Sequence, residues 1–366
     1  MDPARFSKIT ARYADLRIAI IGDFCLDRYL EIDPSKREIS IETGLPVHNV
    51  VDVRSQPGGA GTILNNLSAL GAGYIYPVGF CGEDGEGFEL KRALRERTGV
   101  YLDYFLQTPL RRTFTYCKPL LMHTHRPPEE LNRLDRKNWS PTPALVQGQI
   151  IDSALKLAEA NAFVLLDQVD TPETGAVTRK VLEAIDSIGR KREGLFIVAD
   201  SRRGLRGFPP VIFKMNAAEL SALTGAEQNL PLDELKRIAV TLARKQGRRV
   251  FVTLSERGIL GASPTGEAEH VPALPVRGPI DIVGAGDAVT ANLTAALAGE
   301  ATMREAMEIA MAAASIVIHQ LGTTGTASVS QIGSRLQGGA FRWEHPNRSR
   351  DFAGHEAQKV AQASCL

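Results

Sequence analysis

The segment Asp281-Ile-Val-Gly-Ala-Gly-Asp287 holds the residue types best suited to chemistry, because its glycine-rich turn opens a helix that runs on through Leu297. Amides at a helix start have no acceptor within the helix, so those of Gly284, Ala285 and Gly286 would form an anion hole. Asp287 falls inside that positive nest. A carboxylate there either stabilises the helix dipole, by about 0.3–1 kcal/mol, or serves as a base for a group brought to the hole. Phosphoryl transfer to an alcohol needs both a base near the hydroxyl and donors around the transferred group. Two other phosphate-binding patterns fail on detail. Val289 stands where a dinucleotide turn needs its third small residue, and no Gly-Lys-Ser or Gly-Lys-Thr of a Walker loop occurs in the chain.

These residues need a frame. Leu16-Arg-Ile-Ala-Ile-Ile-Gly22 reads as a strand buried on both faces, with Asp23 and Asp27 just past its end. Residues 31–53, β-branched and broken by Pro34 and Pro46, suggest small antiparallel strands, and residues 101–122 supply strands to the same minor sheet. Gly58 and Gly59 stand at the mouth of a helix with apolar positions 63, 64, 67 and 70, where backbone can touch a ligand. Strand-like runs at 74–79, 162–167, 195–200, 211–214 and 249–254 then alternate with helices near 87–96, 145–160, 173–188, 217 onward and 232–245. Such alternation predicts an α/β fold with a mostly parallel sheet wrapped by helices, whose ligands collect at the carboxyl ends of the strands. Asp27, Asp167, Asp200, Asn216 and Ser255 all follow strand-like runs and are expected to converge on one cleft.

Composition sets the outer limits. Forty-three basic against 42 acidic residues leave a formal charge of +1, which excludes a globally basic nucleic-acid-binding surface. Phosphate handling must therefore come from local placement. Cys25, Cys81, Cys117 and Cys365 form no metal or redox pair and read as free thiols. The charged first 17 residues leave no room for a secretion signal, so a cytoplasmic protein is expected. Residues 309–334 lack charged side chains but turn polar after Ile318, which reads as a buried helix rather than a membrane span. His123 and His125 have no third ligand nearby and read as a loop.

The 281–287 signature resembles that of the ribokinase (PfkB) family of carbohydrate kinases. Further segments match in order: Gly22-Asp-Phe-Cys-Leu-Asp-Arg-Tyr29, Pro57-Gly-Gly-Ala60, Arg133-Leu-Asp135, Asn216-Ala-Ala-Glu219, Val252-Thr-Leu-Ser-Glu-Arg-Gly258 and Leu321-Gly-Thr323. Within the family the chain is most similar to the heptose 7-phosphate kinase domain of the lipopolysaccharide-precursor enzymes. The resemblance implies a ribokinase-like three-layer fold with a small β-sheet lid, in a kinase domain of residues 1–332 followed by a loosely ordered tail, 333–366. It implies ATP as co-substrate and Asp287 as the base, with Gly284, Ala285 and Gly286 holding the phosphoryl charge. Asn216 and Glu219 would organise Mg2+ largely through water, although their spacing is also that of a capping box. Thr253, Ser255 and Gly258 would contact nucleotide phosphates, and Asp281 would lie beside a possible K+ loop. Asp27, Gly58, Gly59 and Lys118 would bind the sugar, with Arg28, Arg111, Arg112 and Arg133 as further cations for a phosphorylated acceptor. The lid implies a homodimer.

Three departures bear on the acceptor. Thr62 replaces the family's sugar-binding asparagine, so that it would still hydrogen-bond the sugar but without the amide's reach, and Asn65 and Asn66 follow one helical turn later. The Asp-Tyr-x-Lys-Gly of heptose kinases becomes Asp167-Gln-Val-Asp-Thr-Pro-Glu-Thr-Gly175, and their Asp-Pro-Lys becomes Asp200-Ser-Arg-Arg203. The chain carries no His-x-Gly-His turn of a nucleotidyltransferase, so a kinase alone is expected. The alternatives are a nucleoside kinase of the same fold and a non-catalytic ligand-sensing or scaffold protein.

Overall fold

A computed structural model describes residues 1–123, 126 and 128–338. Cys365, His125 and the tail from 339 lie outside the described residues, as does most of the segment expected to be loosely held. The helix Val329–Leu336 crosses the boundary set at 332, so regular structure continues beyond it.

The centre is a nine-stranded sheet. Its order runs Ala268–Val271, Ile259–Ala262, Val250–Thr253, Ile212–Asn216, Phe196–Ser201, Ala162–Asp167, Arg17–Gly22, Tyr74–Gly82, Phe105–Thr108. The pairs from Val250–Thr253 to Phe105–Thr108 are parallel, and the two strands at the other edge form an antiparallel hairpin that the alternation argument did not anticipate. The inner strands are apolar throughout because both faces are covered. Ile18, Ile20 and Val164 pack into one core with the helices Ala60–Ala69, Ala285–Ala298 and Met303–Val317. Ala19, Ile21, Phe163 and Leu165 pack on the other side with Ala144–Lys156, Arg179–Lys191 and Leu232–Gln246. The three-layer expectation therefore holds, and the charge-free stretch from 309 begins inside the buried helix Met303–Val317. No helix among the described residues is long and apolar enough to cross a membrane.

A four-stranded second sheet stands apart, in the order Val50–Gly59, Phe24–Ile32, Phe114–Leu121, Glu129–Glu130. Its boundaries correct the sequence reading in two places. The lid begins at Phe24, so Asp27 lies within a lid strand rather than at the tip of the first core strand. Of residues 101–122 only the second half joins the lid, since Phe105–Thr108 pairs with Tyr74–Gly82 at the edge of the main sheet. The exit is set at Gly22, where a Cβ would stand 2.6 Å from the Leu166 carbonyl oxygen. Asp23 next to it is buried, and its carboxylate accepts the amides of Gln168 (2.8 Å), Val169 (3.3 Å) and Ala176 (2.6 Å). That brace explains a third correction. Residues 168–178 wrap around Asp23 as a loop, and the helix expected from 173 starts only at Arg179, capped by Thr178.

Cys25, Cys81 and Cys117 are buried free thiols, as expected.

Candidate active site

Gly284 adopts φ 84°, the left-handed conformation that turns the chain into the helix Ala285–Ala298. A side chain there would be strained, and its Cβ would stand 3.3 Å from Thr324. The Ala285 amide closes a turn onto the Ile282 carbonyl at 3.1 Å, which removes it from the expected anion hole. The amides of Gly284, Gly286 and Asp287 have no protein acceptor among the described residues. Gly284 and Gly286 of the set inferred from the signature thus remain open donors, and the Asp287 amide takes the place of Ala285.

Asp287 is half-buried in this first turn. Burial, reinforced by the Asp200 carboxylate and to a lesser degree by Asp27, pushes its carboxyl up to about 7, against the opposing pull of Lys214. A carboxyl poised there can accept a proton near neutral pH. Asp27 lies on the lid, buried at 8% exposure. Burial raises its carboxyl too, while Lys118 and Arg133 hold it down. Gly58 makes room for it: a Cβ there would stand 2.5 Å from Asp27 Oδ2. Gly59, at φ 56°, turns the lid strand into the helix Ala60–Ala69, with its would-be Cβ 2.6 Å from the Asp23 carbonyl oxygen. Thr62, in the first turn of that helix, is buried at 2% exposure.

The period of two along a strand sorts the lid's cations. Arg54, Tyr29 and Lys118 are paired across three strands, as are Gln56, Asp27 and Tyr116, so these rows share the face that bears Asp27. Lys118 Nζ lies 5.0 Å and the Arg54 guanidinium 4.8 Å from the Tyr29 ring centre, and the Arg133 guanidinium lies 5.0 Å from that of Tyr116. Lys118 is half-buried and has no carboxylate in ion-pair contact among the described residues, whereas Arg133 is paired with Asp135 at 3.1 Å. Arg28 points to the reverse face and pairs with Glu89 at 3.1 Å. Arg111 is buried and donates to the Thr174 carbonyl at 2.7 Å, and the Arg112 amide donates to Asn138. Of the four additional cations expected near a phosphorylated acceptor, only Arg133 accompanies Lys118 beside Asp27.

On the core side Asp167, Asp200 and Asn216 end neighbouring parallel strands, which brings them to one edge of the sheet as expected. Asn216 pairs in register with Thr253. Asn216 and Glu219 form the capping box: Asn216 Oδ1 accepts the Glu219 amide at 2.8 Å, and Glu219 Oε2 accepts the Asn216 amide at 2.7 Å. Glu219 Oε1 has no protein partner among the described residues, and burial raises this carboxyl. No group of three or more His, Cys, Asp or Glu among the described residues could hold a metal ion. One open carboxylate oxygen fits magnesium that shares its shell with phosphate and water, and it does not fit an ion held by protein alone.

Ser255 is exposed at φ 53°, a backbone strain for a non-glycine residue at the strand end. Gly258 is fixed by packing, since a Cβ there would stand 2.1 Å from the Val271 carbonyl oxygen. Thr253 Oγ1 reaches the Met215 carbonyl at 3.4 Å. Asp281 turns its Oδ1 back onto the Val283 amide at 3.0 Å, so this carboxylate shapes its own loop.

Sequence reasoning missed Lys214 and Thr290. Lys214 Nζ donates to Asp200 Oδ2 at 2.7 Å, and the Thr290 hydroxyl donates to the same oxygen at 3.0 Å. The signal was present as a lysine inside the apolar run Val211-Ile-Phe-Lys-Met215. The two altered segments near the acceptor also answer each other. Arg203 pairs with Asp167 at 2.7 Å, while Lys137 and Arg202 pair with Asp170 at 2.6 Å and 3.5 Å. Gln56 of the lid spans to the core, accepting from Thr323 at 3.0 Å and donating to Thr324 at 2.9 Å.

Residues 16–329 match the pfkB family carbohydrate kinases. Curated relatives named bifunctional protein HldE include one from Bradyrhizobium sp., 30% identical over 88% of this chain and 64% of that protein. Another, from Azorhizobium caulinodans, is 32% identical over 84% of this chain and 61% of that protein. The chain therefore spans less than two thirds of the length of these relatives. Among solved structures, Arabidopsis thaliana ribokinase complexed with ribose and ATP is similar at a TM-score of 0.65 and 20% identity, covering 88% of this chain and 99% of that one. Escherichia coli phosphofructokinase-2 in complex with substrates and products has a TM-score of 0.67 at 18% identity, over 88% and 98%. These neighbours share the ribokinase-like fold.

Proposed function

This chain belongs to the pfkB family of carbohydrate kinases, phosphotransferases with a hydroxyl acceptor, and from that premise we propose that it transfers the γ-phosphoryl group of ATP to a phosphorylated sugar of the heptose 7-phosphate type. One observation carries the acceptor class. The Asp27 charge reaches Asp287, and the Asp27 carboxyl, raised by burial, is itself held down by Lys118, which has no carboxylate partner among the described residues, and by Arg133, which is paired with Asp135. A neutral sugar needs hydroxyl ligands such as Asp27, whereas the ammonium and guanidinium suit a phosphate.

In this reading Asp27 orients the acceptor by its hydroxyls and Asp287 takes the proton from the reacting one. The acceptor oxygen then bonds to the γ-phosphorus as the bond to the β–γ bridging oxygen breaks, and that oxygen leaves with ADP. The open amides of Gly286 and Asp287 hold the charge on the transferred group. Glu219 would hold magnesium through water, and the ion would neutralise phosphate charge. The Gln56 contacts to Thr323 and Thr324 keep the lid over the cleft and help exclude water.

The test is an ADP-release panel of sugars, sugar phosphates and nucleosides, run on the wild type and on Lys118→Met. Turnover with a sugar phosphate is expected, with KM for that acceptor raised about 10-fold or more by the substitution and KM for ATP unchanged. Turnover confined to nucleosides would move the assignment to a nucleoside kinase, and no acceptor-dependent turnover would leave a ligand-sensing role.

The exposed Val50, Val51 and Val53 of the lid's edge strand, with Ile39, Ile41 and Leu45 of the small two-stranded hairpin that precedes it, support pairing of two copies through this face. Sedimentation at micromolar concentration should give a homodimer, and the double change Ile41→Asp and Val51→Asp should give a monomer. A monomeric wild type would refute the pairing.

A further inference from the structure

Lys214 occupies the strand Ile212–Asn216 at 6% exposure, a position where lysine is rare unless paired. Its pairing is incomplete. An ammonium carries three donors, and only the bond to Asp200 Oδ2, at 2.7 Å, has a protein acceptor among the described residues. Asp200 is already shared with Thr290, whose hydroxyl also reaches the Gly286 carbonyl at 3.1 Å, so the ammonium is tied to the first turns of the Ala285–Ala298 helix. A Cβ built on Gly286 would stand 3.2 Å from Lys214 Nζ. The charge therefore sits beside the residue whose amide is open, and the missing side chain of Gly286 keeps the path between them clear. Buried donors without acceptors cost free energy, which points to a ligand that brings acceptors.

We propose that Lys214 is a further catalytic residue: its ammonium grips the non-bridging oxygens of the transferred phosphoryl group, together with the Gly286 and Asp287 amides. The inference rests on the kinase reading above. Lys214 keeps its proton and forms no covalent bond; as the γ-phosphorus exchanges its bridging oxygen for the acceptor oxygen, the ammonium stabilises the charge on the oxygens that do not change partners. Asp200 fixes the direction of the side chain and Thr290 fixes Asp200. The neighbouring Asp287 and Glu219 carboxylates complete the field around the lysine. Part of the positive charge that phosphoryl transfer requires is then built into the chain itself.

A purely structural lysine would only neutralise Asp200, and a paired substitution separates the two roles. Lys214→Met with Asp200→Asn removes both charges while keeping volume, a change that buried ion pairs often tolerate. The double variant is expected to melt near the wild type and to keep its thermal shift with ADP. It should lose about 10²-fold or more in kcat, with KM for ATP little changed, and should lose the extra shift that aluminium fluoride with ADP gives the wild type. A folded double variant with wild-type kcat and the full aluminium fluoride shift would overturn the role of Lys214 and leave the kinase reading intact. A wild type without acceptor-dependent turnover, or without any shift on aluminium fluoride, would overturn both. If the double variant does not fold, Lys214→Arg is read instead: it retains the charge but not the shape, and unchanged kcat and shift there would likewise refute a direct grip on the phosphoryl oxygens.

Discussion

Asp287→Asn should fold normally, bind both substrates and turn over at least about 10²-fold more slowly, the loss expected when a general base is removed. Because burial and Asp200 push the Asp287 carboxyl up to about 7, the wild-type kcat should rise with pH through that value and level off above it, as the base loses its own proton. The variant should lose this limb. Stability moves in the opposite sense. A carboxyl raised in the fold binds more protons native than unfolded between its ordinary value, about 4, and about 7, so the wild type loses stability across that window as pH rises. Asn has no such cost. The variant should therefore melt higher than the wild type at pH 8, with the difference fading toward pH 4. Equal melting and an unchanged pH–rate profile would mean that Asp287 is a surface-like helix-dipole carboxylate and not the base.

The frame around Asp287 was legible because it depends on short-range signals. Inner strands covered on both faces must be apolar, so Ile18 to Ile21 and Ala162 to Leu166 announce themselves, and a helix rich in alanine after Gly286 can only be buried. What the sequence concealed depends on long-range geometry. Asp27 looked like the end of a core strand because nothing local marks the point where Gly22 closes on Leu166 and sends the chain into the lid. Arg28 and Arg111 looked equivalent to Lys118 as cations. The alternation of one strand turns Arg28 to Glu89, and a buried carbonyl claims Arg111. Ala285 looked like a donor of the anion hole, and only the turn to Ile282 shows that its amide is spent. The departures at 167–175, which lacks the family's lysine, and at 200–203, which keeps positive charge in another shape, read as separate changes. Together they are a set of exchanged ion pairs, Arg203 with Asp167 and Arg202 and Lys137 with Asp170, which no single segment could disclose.

Asp27 and Gly58 give the second large effect, and it is best measured as a cycle. Removing the carboxylate in Asp27→Ala should lower kcat/KM for the acceptor by about 10- to 100-fold, the worth of a charged hydrogen bond to substrate, with KM for ATP unchanged. Gly58→Ala acts on the same group from behind. Its Cβ would meet Oδ2, Cγ and Oδ1 of Asp27 at 2.5, 2.6 and 2.8 Å, so the carboxylate must swing off or the two lid strands must part. Crowding of this kind costs about 1–3 kcal/mol in a packed site. With Asp27 already truncated, the added methyl meets an empty space, and most of the penalty should vanish both in melting temperature and in kcat/KM. Residues in contact are where such non-additivity is expected. If the two substitutions instead add independently, Gly58 is not holding space for the Asp27 carboxylate. The lid row would then have to orient its acceptor through Lys118 and Tyr116, with Asp27 a buried charge of no direct use to the substrate.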